Sequence, residues 1–271
     1  MLKRNLGSLW VPAVGMGTAS SSGFDVDSSE ALENCRRIVD ACLTHGSTII
    51  DTSPMYRRAE GVLGEVLQGR RDEFQLATKV WCAGLETGRA QMARSFALLK
   101  TDHIEVMQIH NLVDWRTHLP ELEKMKAQGK IDLIGLSHHQ KPFFPELAEI
   151  MRTGRVDCIQ VPYNVLERDV EEEILPLAQD MGIGVIVMRP VGRGVLVRGL
   201  KTQPDLAPLK EYGIETWGQA ALAWLLSDPR ISLVIPATSR HQRISENATA
   251  GSAIIPAKLR EYISSEAERC L

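Results

Sequence analysis

The chain has 271 residues, of which 44% are hydrophobic and 24% are charged, the usual balance for a globular protein with a substantial core. Its formal net charge of −3 and its scattered basic residues argue against nucleic acid or an anionic membrane surface as a partner. No apolar run reaches the length of a transmembrane helix, and no apolar stretch follows the first basic residues, so neither a membrane span nor a secretory signal is expected.

Short runs rich in β-forming residues alternate with longer amphipathic runs along the whole chain. Predicted strands cover residues 11–18, 48–50, 74–80, 104–109, 133–136, 158–161, 185–188 and 233–235. Predicted helices cover residues 29–45, 60–68, 87–99, 119–128, 144–152, 170–181, 217–226, 241–248 and 257–269. No break in composition marks a second domain, so residues 1–271 are predicted to form a single domain.

The alternation of strands and helices predicts a parallel α/β sheet, because a parallel crossover needs about a dozen residues. The strands are nearly continuous in Val, Ile and Leu, as expected when both faces are buried. An open sheet that binds a dinucleotide carries G-x-G-x-x-G after its first strand. Here the segment Gly15-Met16-Gly17-Thr18-Ala19-Ser20 lacks the third glycine. The sequence therefore predicts a (β/α)8 TIM barrel, with an extra helix after strand eight.

Polar residues follow the ends of successive predicted strands. They are Asp51 with Tyr56 five residues later, Lys79, His110, Ser137 with His138, Gln160, Arg189 and Thr238. In a barrel the carboxyl ends of the strands meet at one face, where the chemistry of this fold takes place. Ionisable groups behind buried strands are costly unless they pair with one another. We therefore expect these side chains to form one site.

Four of these residues, Asp51, Tyr56, Lys79 and His110, suit proton transfer to or from an oxygen. A tyrosine with its ordinary pKa of about 10 is a poor acid at neutral pH. A nearby lysine ammonium is expected to lower that pKa, and an aspartate keeps the lysine charged and oriented. An imidazole on the next strand can bind a substrate oxygen. The set predicts a carbonyl–alcohol interconversion in which a hydride moves at the adjacent carbon.

The same segments resemble those of the aldo-keto reductase family. They are Asp51-Thr52-Ser53-Pro54-Met55-Tyr56 with Glu60 beyond, Lys79-Val80-Trp81, Gln108-Ile109-His110, Gly135-Leu136-Ser137, Gln160-Val161-Pro162-Tyr163-Asn164, and Ile235-Pro236-Ala237-Thr238 with Arg243, Glu246 and Asn247. The resemblance runs from about Leu6 to about Asn247. Each segment alone is a weak signal, whereas their ordered occurrence is specific.

The resemblance implies an NADPH-dependent reductase, with NADH as a second option, acting on a small carbonyl or alcohol. Tyr56 would be the general acid, tuned by Lys79 and Asp51, and His110 would orient the carbonyl. The residues implied to contact the substrate are Tyr56, His110, Trp81 and Trp115, and Met55 and Trp10 are further candidates for an apolar mouth.

The resemblance also implies a cofactor site that spans most of the barrel mouth. Ser137 and Gln160 would bind the nicotinamide carboxamide, and Thr238 with Arg243 the 2′-phosphate. The full set is Gly17, Thr18, Asp51, Ser137, His138, Gln160, Met188, Arg189, Pro190, Gly192, Arg193, Gly194, Thr238, Arg243, Glu246 and Asn247. Three positions depart from many or some relatives: His138 stands in place of asparagine, Met188 in place of an aromatic residue and Ala237 in place of lysine.

Two other functions stay open at this point. The barrel could bind a cofactor as a regulatory subunit without catalysis, although all four residues of the proton-transfer set are present. It could also be a lyase with Lys79 as a Schiff-base nucleophile, although an adjacent aspartate favours the charged amine. The Gly/Ser-rich segment 20–27 could move over the site.

The five cysteines form an odd set without metal-ligand spacing, so we expect free thiols and no bound metal. Cys35 and Cys42 are seven residues apart in a helical pattern and therefore share one face, as core residues do. Free thiols favour a cytoplasmic location. We further expect a monomer or a weak homo-oligomer.

Overall fold

The computed structural model describes residues 1–19 and 23–271. Its strands are β1 (Lys3–Leu6), β2 (Leu9–Pro12), β3 (Met16–Gly17), β4 (Ile49–Asp51), β5 (Gln75–Val80), β6 (Ile104–His110), β7 (Ile131–Ser137), β8 (Cys158–Pro162), β9 (Gly184–Met188) and β10 (Leu233–Val234). Its α-helices are α1 (Ser29–His45), α2 (Ala59–Val66), α3 (Leu85–Leu99), α4 (Trp115–Ala127), α5 (Phe144–Arg152), α6 (Ile174–Met181), α7 (Val195–Arg198), α8 (Trp217–Leu226), α9 (Gln242–Ala250) and α10 (Ala257–Cys270). Short 3-10 helices cover Pro54–Tyr56, Arg71–Glu73, Lys141–Phe143, Asp169–Glu171, Gly192–Gly194 and Ala207–Tyr212.

The strands β3 to β10 form one parallel sheet in chain order. Isolated parallel bridges between Val14 and Val234 and between Gly17 and Ala237 bring the last strand back to the first. Gly17 permits this close approach, because a Cβ there would lie 3.0 Å from the Ile235 carbonyl oxygen. The predicted (β/α)8 barrel is thus confirmed as a nearly closed barrel, with α9 and α10 following its eighth strand.

Local signals set the ends of the helices that surround the barrel. The Ser28 hydroxyl accepts a hydrogen bond from the Ala31 amide at the start of α1, and Gly46, with φ +77°, ends that helix in the left-handed region. Thr216 and Gln219 form a reciprocal capping box at the start of α8. No helix in the described ranges is both long and apolar enough to cross a membrane.

The prediction of a single first strand over residues 11–18 is confirmed for the second half of that segment, which contains the barrel strand β3, and is wrong for the first half. Strand β2 contains the first part of that segment and pairs antiparallel with β1, and the barrel strand β3 is only two residues long. The hairpin escaped prediction because β1 begins with the polar residues Lys3, Arg4 and Asn5, whereas the segment after Trp10 is continuously apolar. Gly7, with φ +55°, makes the turn between the two strands.

This hairpin, β1 with β2, covers the amino-terminal end of the barrel. Leu6 and Val11 are fully buried in the cluster of side chains that fills the barrel interior. At Gly184, the first residue of β9, a Cβ would lie 2.7 Å from Leu6 Cδ1 and 2.9 Å from the Gly7 amide nitrogen. The hairpin therefore closes one end of the barrel and leaves the carboxyl ends of the strands for a site.

Arg4 joins the hairpin to the end of α8. Its guanidinium donates hydrogen bonds to the carbonyl oxygens of Ile231 at 2.7 Å and Asp228 at 3.3 Å, and also to that of Leu226. These carbonyls lie at and just beyond the carboxyl end of α8, where a cation is favourable to the helix dipole. One partly buried side chain thus satisfies several backbone acceptors that lie more than 200 residues away in sequence.

We expect Arg4→Ala to lower the free energy of unfolding by about 2 kcal/mol, because three partly buried carbonyls lose a charged donor. Urea and thermal unfolding of the purified variant would measure this loss. The exposed Arg37→Ala on α1 is the matched control and should change stability by less than about 0.5 kcal/mol. Equal stability of the two variants would contradict the role given to Arg4.

Candidate active site

A cavity of about 760 Å³ opens at the carboxyl ends of the barrel strands. This volume is typical of sites for cofactors and small molecules. Residues predicted from the sequence supply much of its wall: Gly17, Asp51, Tyr56, His110, Gln160, Met188, Arg189, Pro190, Arg193, Gly194, Thr238, Arg243, Glu246 and Asn247. The structure therefore brings most of the predicted site residues to one place.

A buried ion pair between Lys79 and Asp51 lies at the base of this cavity. The Lys79 ammonium donates to Asp51 Oδ1 at 2.6 Å and to the Thr52 carbonyl at 2.7 Å, and both charged side chains are almost fully buried. Gln108 and Gln160 donate amide hydrogens to the same carboxylate at 3.1 and 3.4 Å. Burial raises the pKa of the Asp51 carboxyl, and Lys79 and the two amides oppose that shift.

Tyr56 ends the 3-10 helix that follows β4, so its phenol lies beside the ion pair. The Lys79 ammonium is 5.8 Å from the centroid of the tyrosine ring. Burial raises the pKa of Tyr56, the Asp51 charge raises it further, and Arg189 acts in the opposite direction. The sequence predicts a lowered pKa, whereas burial dominates here and keeps the phenol protonated at neutral pH.

His110 ends β6 and lies on the cavity wall with its imidazole in contact with Ser53. Its Nδ1 lies 3.2 Å from the Ser53 hydroxyl oxygen. Burial, followed by the charge of Lys79 and the neighbouring His139 and His138, lowers the pKa of His110 from 6.5 to about 3. The imidazole is therefore neutral at physiological pH and can donate one hydrogen bond and accept another.

Buried polar atoms without hydrogen-bond partners lie around the ion pair. Within residues 1–19 and 23–271, the Ser137 hydroxyl oxygen, Gln160 Oε1, Gln108 Oε1 and the Thr52 hydroxyl oxygen are buried with no partner. Such atoms are costly in a folded protein and commonly mark a place where a ligand supplies the missing group. Ser137 and Gln160 are paired neighbours on β7 and β8, so a single polar group could meet both.

The two histidines after β7, His138 and His139, lie in different environments. The Nδ1 of His138 accepts a hydrogen bond from the Gln140 amide at 3.1 Å, and its ring packs on Phe143 with centroids 4.3 Å apart. His139 lies on the cavity wall and contacts the Asn111 side-chain oxygen at 3.2 Å. His139 therefore takes the position at the wall that the sequence suggested for His138.

The far end of the cavity carries a group of cations, here called the arginine cluster, which consists of Arg193, Arg198, Arg240 and Arg243. The loop after β9 has positive φ angles at Gly192, Arg193 and Gly194. Glycine adopts such angles readily because it has no Cβ. Arg243 forms an ion pair with Glu246, which also accepts a hydrogen bond from the Thr216 hydroxyl at 2.7 Å. Clustered guanidinium groups suit phosphate oxygens.

The tryptophans proposed for the substrate mouth lie in three different environments. Trp81 is 39% exposed and its ring faces His110 at 6.1 Å between centroids. Trp115 begins α4 and donates to Glu146 at 3.0 Å, and among the described residues it is not part of the cavity wall. Trp10 lies on the hairpin at the opposite end of the barrel, so the suggestion for Trp10 is wrong.

The remaining predicted residues lie behind the wall or on it. The Thr18 hydroxyl donates to the Asp51 carbonyl at 3.0 Å, which fixes the end of β3 against β4. Met55 is exposed on the wall next to Tyr56. Within segment 20–27, residues 20–22 lie outside the described ranges, and Asp25 pairs with Arg57 at 3.2 Å.

Several residues of the site escaped the sequence analysis. They are Arg240 on the cavity wall, and Ser53 and Gln108, which are buried and contact His110 and Asp51. Ser53 and Gln108 occur in the segments that carry the family resemblance but received no role. Gln108 could have been found from the strand period, because it lies two residues before His110 and points to the same face. Arg240 lies in a loop, where no periodic pattern indicates the direction of a side chain.

The profile of the Aldo/keto reductase family matches residues 13–265. The chain belongs to the aldo/keto reductase family. Among its relatives, the methylglyoxal reductase YeaE of Escherichia coli (strain K12) is 28% identical over 249 residues, which cover 89% of this chain and 86% of that protein. The uncharacterized oxidoreductase YrpG of Bacillus subtilis (strain 168) is 31% identical over 264 residues, covering 78% of this chain and 79% of that protein.

Solved structures of aldo-keto reductases have the same fold. One from Klebsiella pneumoniae, crystallised in complex with NADPH, superposes with a TM-score of 0.83 at 25% identity and covers 98% of this chain and 95% of that chain. The holo form of the aldo-keto reductase AKR11C1 from Bacillus halodurans has a TM-score of 0.80 at 26% identity, covering 98% of this chain and 96% of that one. The family resemblance deduced from the motifs is thereby confirmed.

The low pKa of His110 predicts an acid-sensitive fold. Its folded pKa of about 3 lies below the unfolded value of 6.5, so between these two pH values the unfolded chain binds the extra proton and stability falls as pH falls. From pH 7 to pH 5 this group should remove about 2 kcal/mol from the free energy of unfolding.

Urea unfolding at both pH values should therefore show a smaller acid loss for His110→Gln than for the unmodified protein. His45→Gln, at an exposed position near the end of α1, is the matched control and should behave like the unmodified protein. An identical acid loss in His110→Gln and the unmodified protein would refute the assignment.

Proposed function

We propose that this aldo/keto reductase reduces an aldehyde or ketone to the alcohol with NADPH, and that Tyr56 donates the proton. One observation carries the proposal. Tyr56, His110 and the Lys79–Asp51 ion pair lie together at one end of the cavity, and the arginine cluster lies at its other end. NADPH, when bound, supplies a hydride to the carbonyl carbon. The relative from Klebsiella pneumoniae was crystallised with NADPH, which supports this choice of cofactor.

The residues of the cavity fit a dinucleotide of this kind. The unpartnered Ser137 hydroxyl and Gln160 Oε1 would hold the carboxamide, and Met188 would cover the nicotinamide ring. The loop Pro190–Gly194 and its neighbouring cations would hold the pyrophosphate. Thr238 and Arg243 would hold the 2′-phosphate, and Glu246 with Asn247 the adenine.

The proton chemistry follows from the protonation states of this chain's own residues. Tyr56 holds its proton until negative charge develops on the substrate oxygen, which is then a far stronger base than a carbonyl. Neutral His110 donates a hydrogen bond to the same oxygen and fixes its position. The Lys79 ammonium, near the tyrosine ring, stabilises the phenolate that remains, and Asp51 keeps Lys79 oriented.

The two competing functions have less support. A Schiff-base lyase would need a neutral amine at Lys79, yet this nitrogen lies 2.6 Å from the buried Asp51 carboxylate, which favours the ammonium form. A regulatory barrel would have no need for the complete proton-transfer set. The name of the Escherichia coli relative, methylglyoxal reductase, makes a small dicarbonyl the first substrate to test.

Tyr56→Phe should lower turnover by about 10²- to 10⁴-fold, because the general acid is lost while the ring is kept. NADPH oxidation with methylglyoxal and with 4-nitrobenzaldehyde measures turnover, and quenching of tryptophan fluorescence measures NADPH binding, which should be unchanged. Tyr212→Phe is the matched control and should retain activity. Full turnover in Tyr56→Phe would overturn the assignment, and NADPH binding without turnover of a broad carbonyl panel would favour the regulatory function.

Arg243→Ala should raise the Kd for NADPH by roughly 10- to 100-fold, the effect of losing one charged hydrogen bond, and should leave the Kd for NADH nearly unchanged. Titrations with both nucleotides provide the measurement, and the NADH arm controls for loss of the Arg243–Glu246 pair. Arg240→Ala is the comparison within the arginine cluster. An equal rise in the Kd for NADPH and NADH in Arg243→Ala would contradict a role for Arg243 at the 2′-phosphate. If only Arg240→Ala lost the preference for NADPH over NADH, that role would belong to Arg240.

A further inference from the structure

Ser53 makes three contacts that connect the turn of Tyr56 to the imidazole of His110. Its backbone carbonyl accepts from the Tyr56 amide at 2.9 Å, and its hydroxyl oxygen accepts from the Met55 amide at 3.2 Å. The same hydroxyl lies 3.2 Å from His110 Nδ1. Ser53 is fully buried, so these contacts are not shared with solvent.

The direction of the Ser53–His110 hydrogen bond follows from the buried groups around it. A hydroxyl has one hydrogen to donate. Within the described ranges, His110 Nδ1 is the only acceptor that the structure gives for the hydrogen of Ser53. If Nδ1 carried the proton instead, the fully buried Ser53 hydrogen would have no acceptor, which is unfavourable. Ser53 therefore donates, and Nδ1 is the unprotonated nitrogen.

This direction determines which nitrogen of His110 carries the proton. The neutral imidazole has a single N–H, so with Nδ1 as acceptor the proton is on Nε2. His110 lies on the cavity wall and its Nδ1 edge is held by buried Ser53, so the Nε2 edge is left for the cavity. The same serine thus holds the turn that carries Tyr56 and orients the ring of His110.

We propose that Ser53 is a positioning residue, which holds the His110 ring by donating to Nδ1 so that Nε2–H faces the substrate oxygen. This proposal rests on the proposed reductase function for the role of Nε2–H. The direction of the hydrogen bond, however, can be measured without activity. A catalytic residue contacts the reacting atoms, whereas Ser53 acts through His110 and through the turn.

The first test is ¹⁵N–¹H long-range correlation NMR of the histidines in the full-length protein at pH 7, assigned with His110→Gln. The proposal expects His110 to show a protonated Nε2 and an unprotonated Nδ1, and a change in the Nδ1 signal in Ser53→Ala. A proton on Nδ1 in the unmodified protein would overturn it. Because this spectrum needs no turnover, it decides the hydrogen bond even if the reductase function fails.

The second test is kinetic and uses Ser53→Ala, Ser53→Thr and Ser47→Ala. Ser53→Ala should lower kcat for aldehyde reduction on the order of 10-fold with little change in the NADPH KM, as expected when one orienting hydrogen bond is lost. Ser53→Thr keeps the hydroxyl on an extended backbone that β-branched residues favour, and should restore most of the rate. Ser47→Ala removes another buried hydroxyl, just before β4, and should be neutral.

Each kinetic outcome has a defined meaning. Full activity in Ser53→Ala, with an unchanged Nδ1 signal, would refute the positioning role. Equal losses in Ser53→Ala and Ser53→Thr would also refute it, because the hydroxyl would then not be the cause. Should Ser53→Ala fail to fold, as judged by circular dichroism, the spectrum of the unmodified protein still decides the proposal. If the unmodified protein had no reductase activity, the proposed function would be contradicted, but the NMR result on the hydrogen bond would still be valid.

Discussion

The Lys79–Asp51 ion pair is the interaction on which the rest of the site depends. Removing two charges from water costs several kcal/mol per ion, and the fold must offset that cost with short, well-directed contacts. Here the ammonium has two oxygen acceptors within 2.7 Å, and the carboxylate has two further amide donors. These groups come from β4, β5, β6 and β8, so the pair also fixes the relative positions of four strands at their carboxyl ends.

The two ends of the barrel differ in how their buried groups are satisfied. At the amino-terminal end, the hairpin adds Leu6 and Val11 to an apolar interior, and Arg4 satisfies the carbonyls at the end of α8. At the carboxyl end, buried polar atoms remain without partners among the described residues. A barrel stabilised at one end can keep such unfavourable groups at the other, which is the usual arrangement when a site must meet a polar ligand.

The sequence predicted the barrel and most of the cavity wall because both follow simple periods. Parallel strands alternate with helices, and the polar residue that ends each strand falls at the same face. The hairpin was missed because the polar residues of β1 carry no apolar period. The role of Ser53 and the orientation of His138 depend on side-chain contacts between separate segments, which no local pattern encodes. Likewise, the raised pKa of Tyr56 depends on its degree of burial, which the sequence does not specify.

Charge is distributed along the cavity in a way that gives the proposed cofactor one orientation. At the reaction end, Lys79 and Asp51 compensate one another, and Tyr56 and His110 are both neutral because burial disfavours their charged forms. At the other end, the four guanidinium groups of the arginine cluster line the wall. Within the described ranges, Arg243 is the one member of the cluster that forms an ion pair, which it makes with Glu246. The pyrophosphate and the 2′-phosphate of NADPH are anionic, whereas its dihydronicotinamide ring is neutral. The phosphates of the proposed cofactor would therefore be drawn towards the arginine cluster, and the neutral ring would lie beside Tyr56. In the proposed reduction, negative charge would develop beside Tyr56, where the Lys79 ammonium lies 5.8 Å from the ring centroid and the charge of Arg189 also favours the phenolate. Burial that keeps the resting groups neutral also strengthens the attraction between these cations and the developing charge.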